Sequence, residues 1–241
     1  MTTRTHQLSI GGISVAVVRK DIKNLHVGVY PPDGRVRVAA PVTVSDAAVR
    51  AAVAGKLGWI KRQRRGFENQ PRESAREMVS GETHYYLGRR YRLRVVVENA
   101  PRAVSLRGQT MEIRVRPGDD AMRRRELLDE WYREQLRALL PPLLKKWGRK
   151  VGAHAEAFGI KRMKTKWGAC SVGPRRIWLN LELAKKPVGC LEYLVVHELV
   201  HLRFHRHDEQ FLALIDRLLP RWKQTRRILN ATSLAHAEWK Y

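Results

Sequence analysis

The 241-residue sequence is short of cysteine, of acidic residues and of long apolar runs, and each shortage removes a class of protein. Two cysteines, Cys170 and Cys190, are too few for the disulfide framework of a small secreted domain and suit a reducing compartment. The opening residues, MTTRTHQLSIGG, hold no apolar signal-type core. No stretch approaches the roughly 20 uninterrupted apolar residues of a membrane span. The expectation is a cytoplasmic protein with no membrane partner. The 11 prolines and 17 glycines mark turns without gathering into a linker, and neither an internal repeat nor a low-complexity tract is evident. What is there is enough for a packed interior: 44% of residues are hydrophobic, and the length suits one large domain or two small ones.

The deficit of acid leaves 47 Lys and Arg against 23 Asp and Glu, a formal net charge of +24. Such a surface attracts polyanions, and a nucleic-acid partner bound through the basic surface is one expectation. The charge is dispersed, however, through Lys61 to Arg65, Arg123 to Arg125, Lys145 to Lys150 and Lys161 to Lys166, and no nucleic-acid motif accompanies it. A solvated basic face accounts for it equally well.

Apolar alternation at Leu8, Ile10, Ile13, Val15 and Val17 around Gly11-Gly12 predicts a hairpin, and residues 25–30 and 35–40 predict two strands about Pro31-Pro32-Asp33-Gly34. Ser45 and Asp46 then start a helix whose apolar positions, Val49, Val53, Leu57 and Ile60, carry it to Arg65. From Gly81 to Arg116 a second antiparallel set follows, with Tyr91, Leu93, Val95 and Val97 alternating. A long helix with Leu127, Leu128, Trp131, Leu136 and Leu140 is expected to break at Pro141-Pro142. The expected division is a strand-rich lobe over 1–118 and a helical lobe with a short hairpin over 119–241, together one compact unit. That hairpin turns at Gly173-Pro174 into a strand through Ile177, Leu179 and Leu181. Pro187 opens the next helix, which carries Leu191, Leu194, Val195, Leu199 and Leu202.

Inside this helix lies His197-Glu198-Leu199-Val200-His201, the HExxH pattern. Residues four apart are neighbours on a helix surface, so both imidazoles can meet one ion, and Glu198 can reach a metal-bound water. Zinc suits neutral imidazole. It would lower the pKa of its water toward about 7, leaving Glu198 to take the proton and return it to a leaving amine. A catalytic site needs a third ligand and an open position. His207 is the best candidate, with Glu209 and His205 as weaker ones. Ten residues along an unbroken helix is about 1000°, roughly 80° from the first ligand's direction, so the helix must end before His207. Asp208 looks like the N-cap of a new helix bearing Phe211, Leu214, Ile215 and Leu218, which puts His207 at the corner.

Three blocks carry a family resemblance: Lys164 to Cys170 (KTKWGAC), Ile177 to Asn180, and Tyr193 to Leu202 with His207 and Phe211. In order and spacing they resemble the YgjP-like metallopeptidases, relatives of the SprT-like zinc peptidases. The likeness is strong over residues 155–230 and only one of pattern in the first half. It implies an α+β zincin-like fold, one zinc ion on His197, His201 and His207, and Glu198 as catalytic acid/base. The family commonly has Ser where this chain has Ala169, and often His where it has Phe204; neither departure removes an implied ligand.

Trp167 and Cys170 read as a core anchor and a small buried residue beneath the site. In zinc peptidases generally an edge strand beside the active-site helix pairs with an extended peptide or protein substrate, and the strand from Arg175 to Leu183 is expected to play that part. Asn180 either contacts substrate or ends the strand, and Arg175 and Arg176 either stabilise an oxyanion or form a solvated face, Arg176 being the second candidate substrate contact. The reading is therefore a zinc metallopeptidase; the rivals are a nucleic-acid-associated protein with structural zinc and a protease acting on DNA-bound proteins.

Overall fold

The computed structural model describes residues 5–30, 34–68, 76–163 and 166–231. Contacts divide them into two units, one before residue 73 and one after it. In the first, β1 (Thr5–Ile10) and β2 (Ile13–Lys20) form the expected hairpin. Gly11 and Gly12 both have positive φ, 57° and 76°, the backbone a tight right-twisted hairpin requires and side-chain-bearing residues resist. β3 (His26–Tyr30) and β4 (Arg35–Pro41) complete a sheet of order β1-β2-β4-β3. The expected turn at Pro31-Pro32-Asp33 lies outside the described residues.

Leu8, Ile10, Val15, Val17, Val36 and Val38 point to one face, where they pack with Val49 and Val53 of α1 (Asp46–Ala54) and Ile60 of α2 (Leu57–Glu68). Ser45 caps α1, its hydroxyl accepting from the Ala48 amide. The single helix expected here is two. Gly55 donates back to Ala51 and Val53 as the C-cap of α1, where a residue without a side chain supports helix continuation poorly.

The second unit opens with the same arrangement: β5 (Thr83–Tyr86), β6 (Arg89–Val97), β7 (Ala103–Arg107) and β8 (Thr110–Val115), in the order β5-β6-β8-β7. In each sheet two antiparallel pairs flank a parallel one, β2 with β4 and β6 with β8. The purely antiparallel sets expected from the sequence are corrected accordingly, because the third strand doubles back and leaves the fourth beside the second. The topological repeat was invisible in the residues because only inward positions correspond, Val36, Val38 and Ala40 to Met111, Ile113 and Val115, with caps Ser45 and Asp120 ahead of the following helices.

α3 (Ala121–Val151) runs unbroken through Pro141 and Pro142, about 46 Å at 1.5 Å per residue. Each interior proline costs about 3 kcal/mol. Leu136, Leu140, Trp147 and Val151, buried on both sides of the pair, hold the two halves to one core at about 1.5–3 kcal/mol per side chain. That core also contains Tyr91, Leu93, Met111 and Ile113, so the lobe boundary expected after residue 118 falls inside a shared interior; the contact boundary lies near residue 72.

β9 (Ala157–Lys161), β10 (Gly168–Ser171) and β11 (Arg176–Asn180) form a third sheet, ordered β10-β11-β9. The expected hairpin is β10-β11, but β11 is central, parallel to β9, and β10 and β9 are the edges. The strand ends at Asn180 because its side chain accepts from the Glu182 amide and starts a 3-10 turn, Leu181–Lys185. Then come α4 (Val188–His201), α5 (Glu209–Leu218) and α6 (Trp222–Ala231). The chain is α+β, strands leading and helices following. Among the described residues no helix is long and apolar enough to cross a membrane.

Candidate metal centre

α4 is apolar nearly all round because it is buried nearly all round: Leu191, Leu194, Val195, Leu199 and Val200 all lie in the core. Pro187 stands at its N-cap, one residue earlier than expected. His197 and His201 occupy the remaining face, half-buried. The helix stops at His201, with the amides of Leu202 and Phe204 returning to Leu199 and Val200. Asp208 caps α5 by accepting from the Phe211 amide at 3.0 Å, which places His207 at the corner between the helices. One ring nitrogen from each of His197, His201 and His207 lies within 4.8 Å of the others. Phe211 packs against all three imidazoles, ring centroids 4.6–5.1 Å away.

The donor set fits a zinc ion. Nε2 of His197 and Nε2 of His207 are 3.2 Å apart; two Zn–N bonds of about 2.0–2.1 Å at a tetrahedral angle set them about 3.3 Å apart. His201 Nδ1 lies 3.1 Å from the Phe204 carbonyl, which can only accept, so Nδ1 carries the proton and Nε2 is left as a ligand. The contact uses backbone, so the Phe204 side chain is immaterial to it. His197 Nδ1 is buried without a hydrogen-bond partner among the described residues. Burial, then the charges of His201, His207 and Arg226, lower the His197 pKa to about 3; burial also lowers that of His201. Both are thereby kept neutral, the state that binds metal.

Glu198 is 4% exposed, and burial pushes its pKa up to about 8 against the pull of Lys166. A dication among the imidazoles would draw it down again. Two pockets of about 390 and 380 Å³ share Lys166, Gly168, His197, Glu198 and His207, so the histidines and the carboxylate line one continuous cleft whose other wall is β10.

Other expected site residues fall elsewhere. Asn180 is fully buried; its amide nitrogen donates to the Met163 and Lys166 carbonyls, both at 2.8 Å, and its oxygen caps the 3-10 turn, leaving no face for substrate. Arg176 is outside the cleft, over the Trp178 ring at 5.6 Å. Neither lines the cleft that holds the histidines. Cys170 and Trp167 are half-buried and line the cleft walls instead of lying beneath them. Burial and then Glu198 raise the Cys170 thiol to about 11, which keeps it protonated. His205 is exposed, as expected, though at the cleft. Sequence reasoning missed Gly168, Tyr193, Trp222 and Arg226 as cleft residues; they meet only through tertiary packing, and no spacing signals it.

A family model described as "YgjP-like, metallopeptidase domain" matches residues 24–232. No curated protein matches the chain. Among solved structures, the chain is similar to the crystal structure of the metallopeptidase zymogen of Pyrococcus abyssi abylysin: 22% identity, TM-score 0.34, over 36% of this chain and 90% of that one.

Proposed function

Because the chain belongs to the YgjP-like metallopeptidase family, we propose that it hydrolyses peptide bonds with one zinc ion held by His197, His201 and His207, and with Glu198 as acid/base. The observation that carries this reading is the convergence of the His197, His201 and His207 ring nitrogens beside Glu198, a buried carboxylate on the helix that bears the first two, open to a cleft. Zinc bound there supplies a Lewis acid that polarises the scissile carbonyl and acidifies water. Glu198 takes a proton from the attacking water and passes it to the departing amine nitrogen. The free edge of β10 offers backbone donors and acceptors to an extended peptide, aligning it along the cleft. His201, tied to the Phe204 carbonyl, and His207, fixed by the Asp208 cap, hold the coordinating geometry.

The test pairs metal content with cleavage. One zinc per chain in the wild type, its loss in His201→Ala, and casein cleavage abolished in Glu198→Gln with zinc retained are the expected results. A metal-free wild type would overturn the reading, as would undiminished cleavage by Glu198→Gln.

Polyanion binding is a second reading, favoured by one surface. Arg90, Arg92 and Arg94 alternate with inward-facing Tyr91 and Leu93, so all three lie on the open face of the second sheet, and Arg90 and Arg92 pair with no carboxylate among the described residues. Single-stranded DNA should then bind with strong salt dependence, and Arg90→Gln with Arg92→Gln should flatten the log–log slope by about one per arginine. No retention of the wild type at low salt would exclude it.

A further inference from the structure

The cleft differs on the two sides of the histidines. Toward β10 its walls are Ala169, Cys170, Val172 and His205. Toward α6 it opens over Tyr193, Leu194, Trp222 and Leu229. The rings of Tyr193 and Trp222 stack there, centroids 6.0 Å apart and planes 11° from parallel. Trp222 Nε1 donates to Asp216 at 2.6 Å, so the indole is hydrogen-bonded from its polar edge and the rest of the ring is left as apolar wall.

Lys166 and Arg226 line this same pocket. Both are exposed, and neither forms an ion pair with a carboxylate among the described residues. Among the described residues the only carboxylate in the cleft walls is Glu198. Lys166 draws on Glu198, and the Arg226 guanidinium lies 6.0 Å from the centre of the Trp222 ring, so an apolar floor stands directly beside positive charge that no ion pair among the described residues neutralises. This is complementary to an apolar group that carries or adjoins negative charge. Peptides supply that combination in two ways, through an Asp or Glu next to a large apolar residue, or through the α-carboxylate of a chain that ends in one.

We infer that the α6-side pocket is a substrate subsite that takes a large apolar side chain on Tyr193, Leu194 and Trp222, with an adjoining carboxylate held by Arg226 and Lys166. The inference rests on the peptidase reading and narrows it to a class of peptide. Arg226 is the principal determinant, because a planar guanidinium can meet a carboxylate with two parallel hydrogen bonds, whereas the Lys166 ammonium contributes a point charge.

The test separates recognition from cleavage. Labelled hexapeptides with an internal Leu-Glu or Leu-Gln pair, and others ending in Leu as free acid or amide, are titrated by fluorescence anisotropy against zinc-loaded Glu198→Gln and against the same variant with Arg226→Gln or Lys166→Gln. The same peptides are offered to the wild type for hydrolysis. The expected result is about tenfold tighter binding of the carboxylate-bearing member of one pair, a preference lost with Arg226→Gln and reduced with Lys166→Gln. The internal pair responding assigns the charge to a side chain, and the terminal pair responding assigns it to the chain end. Equal binding of acid and neutral members, or a preference that survives Arg226→Gln, overturns the subsite. Preference without hydrolysis by the wild type overturns the peptidase reading and leaves the subsite standing, whereas hydrolysis without preference does the reverse.

Discussion

Gly168 lies so close to Glu198 that a Cβ at its position would stand 2.5 Å from Oε1 and 3.0 Å from the carboxylate carbon. Its backbone is ordinary strand, so the glycine answers a demand for space and not for an unusual φ. The edge strand that lines the cleft is thus docked directly onto the proposed acid/base. In Gly168→Ala the carboxylate must swing aside or the strand must retreat. Either motion is of the size that costs about a hundredfold in a positioned reaction. The expected outcome is a kcat lower by roughly that factor, with zinc content and thermal midpoint close to wild type. Unchanged kcat would show that the carboxylate's position against β10 is not critical.

Asn180 sets where that strand begins. Its side-chain amide spans the carbonyls of Met163 and Lys166, and its backbone amide donates to Trp167, so one buried residue ties β11 to the chain leading into β10. Asn180→Ala leaves two carbonyls and the Glu182 amide without these partners, at a cost of about 2–4 kcal/mol. Urea unfolding should show a lower midpoint with an unchanged slope. Cleavage should fall through displacement of Gly168, even where the variant is fully folded and zinc-loaded.

What could be read from the residues and what could not divide along a physical line. The HExxH spacing, the helix that carries it, the Asp208 cap and the corner at His207 follow from local chemistry at fixed sequence separation, and the three imidazoles converge as that chemistry requires. The α+β order was legible for the same reason, since alternation and helical spacing are local. The failures are those of long-range pairing. β11 is expected at an edge by analogy with zinc peptidases, and only its β10 partner is close in sequence; its other neighbour, β9, is joined in parallel from across the β10 hairpin. Asn180 has two readings in the sequence, a substrate contact or simply the end of its strand, and it is the second that the structure places there. Only the packed chain shows its hydrogen-bonding groups turned inward. Pro141 and Pro142 were expected to break α3 because the core that outweighs their cost is supplied by elements distant in sequence.

Two buried groups away from the histidine cluster remove stability as pH drops from neutrality, in two windows, while Glu198, whose pKa burial raises to about 8, acts in the opposite sense in the apo protein. Burial lowers the pKa of His84 below its ordinary value of 6.5, against the opposing hydrogen bond that its Nε2 donates to the Glu82 carboxylate. The unfolded chain therefore takes up this proton first, and stability present above pH 6.5 is lost progressively below it. Glu182 follows at lower pH. Burial opposes its ionisation, but Lys185 at 2.7 Å and Arg162 at 3.2 Å outweigh burial and hold its pKa below the ordinary 4.5. Its contribution is complete above that value and declines as pH falls further. Thermal midpoints of the apo protein across pH 3–8 should show both declines, and His84→Gln should make the upper one shallower without abolishing it, because His197 and His201, whose pKa values burial also lowers, titrate in the same window. An unchanged upper window in His84→Gln would remove His84 as a contributor.

Asp208 links stability to the metal. As the N-cap of α5 it accepts from the Phe211 amide, and it follows His207 directly, so the cap that starts the helix also fixes the proposed third ligand. Asp208→Ala removes a cap worth about 1 kcal/mol in the apo protein. In the zinc-loaded protein the loss should be larger, because a misplaced His207 weakens binding, and supports of this kind typically change metal affinity by about 10–100-fold. Metal bound only by the folded state adds stability that grows with its affinity, so chelation should lower the wild-type midpoint and added zinc should restore it. The shift on zinc addition should therefore be smaller in Asp208→Ala than in the wild type, and nearly absent in His207→Ala. Equal shifts in all three proteins would separate His207 from the metal and leave the site to His197 and His201 with a ligand from elsewhere.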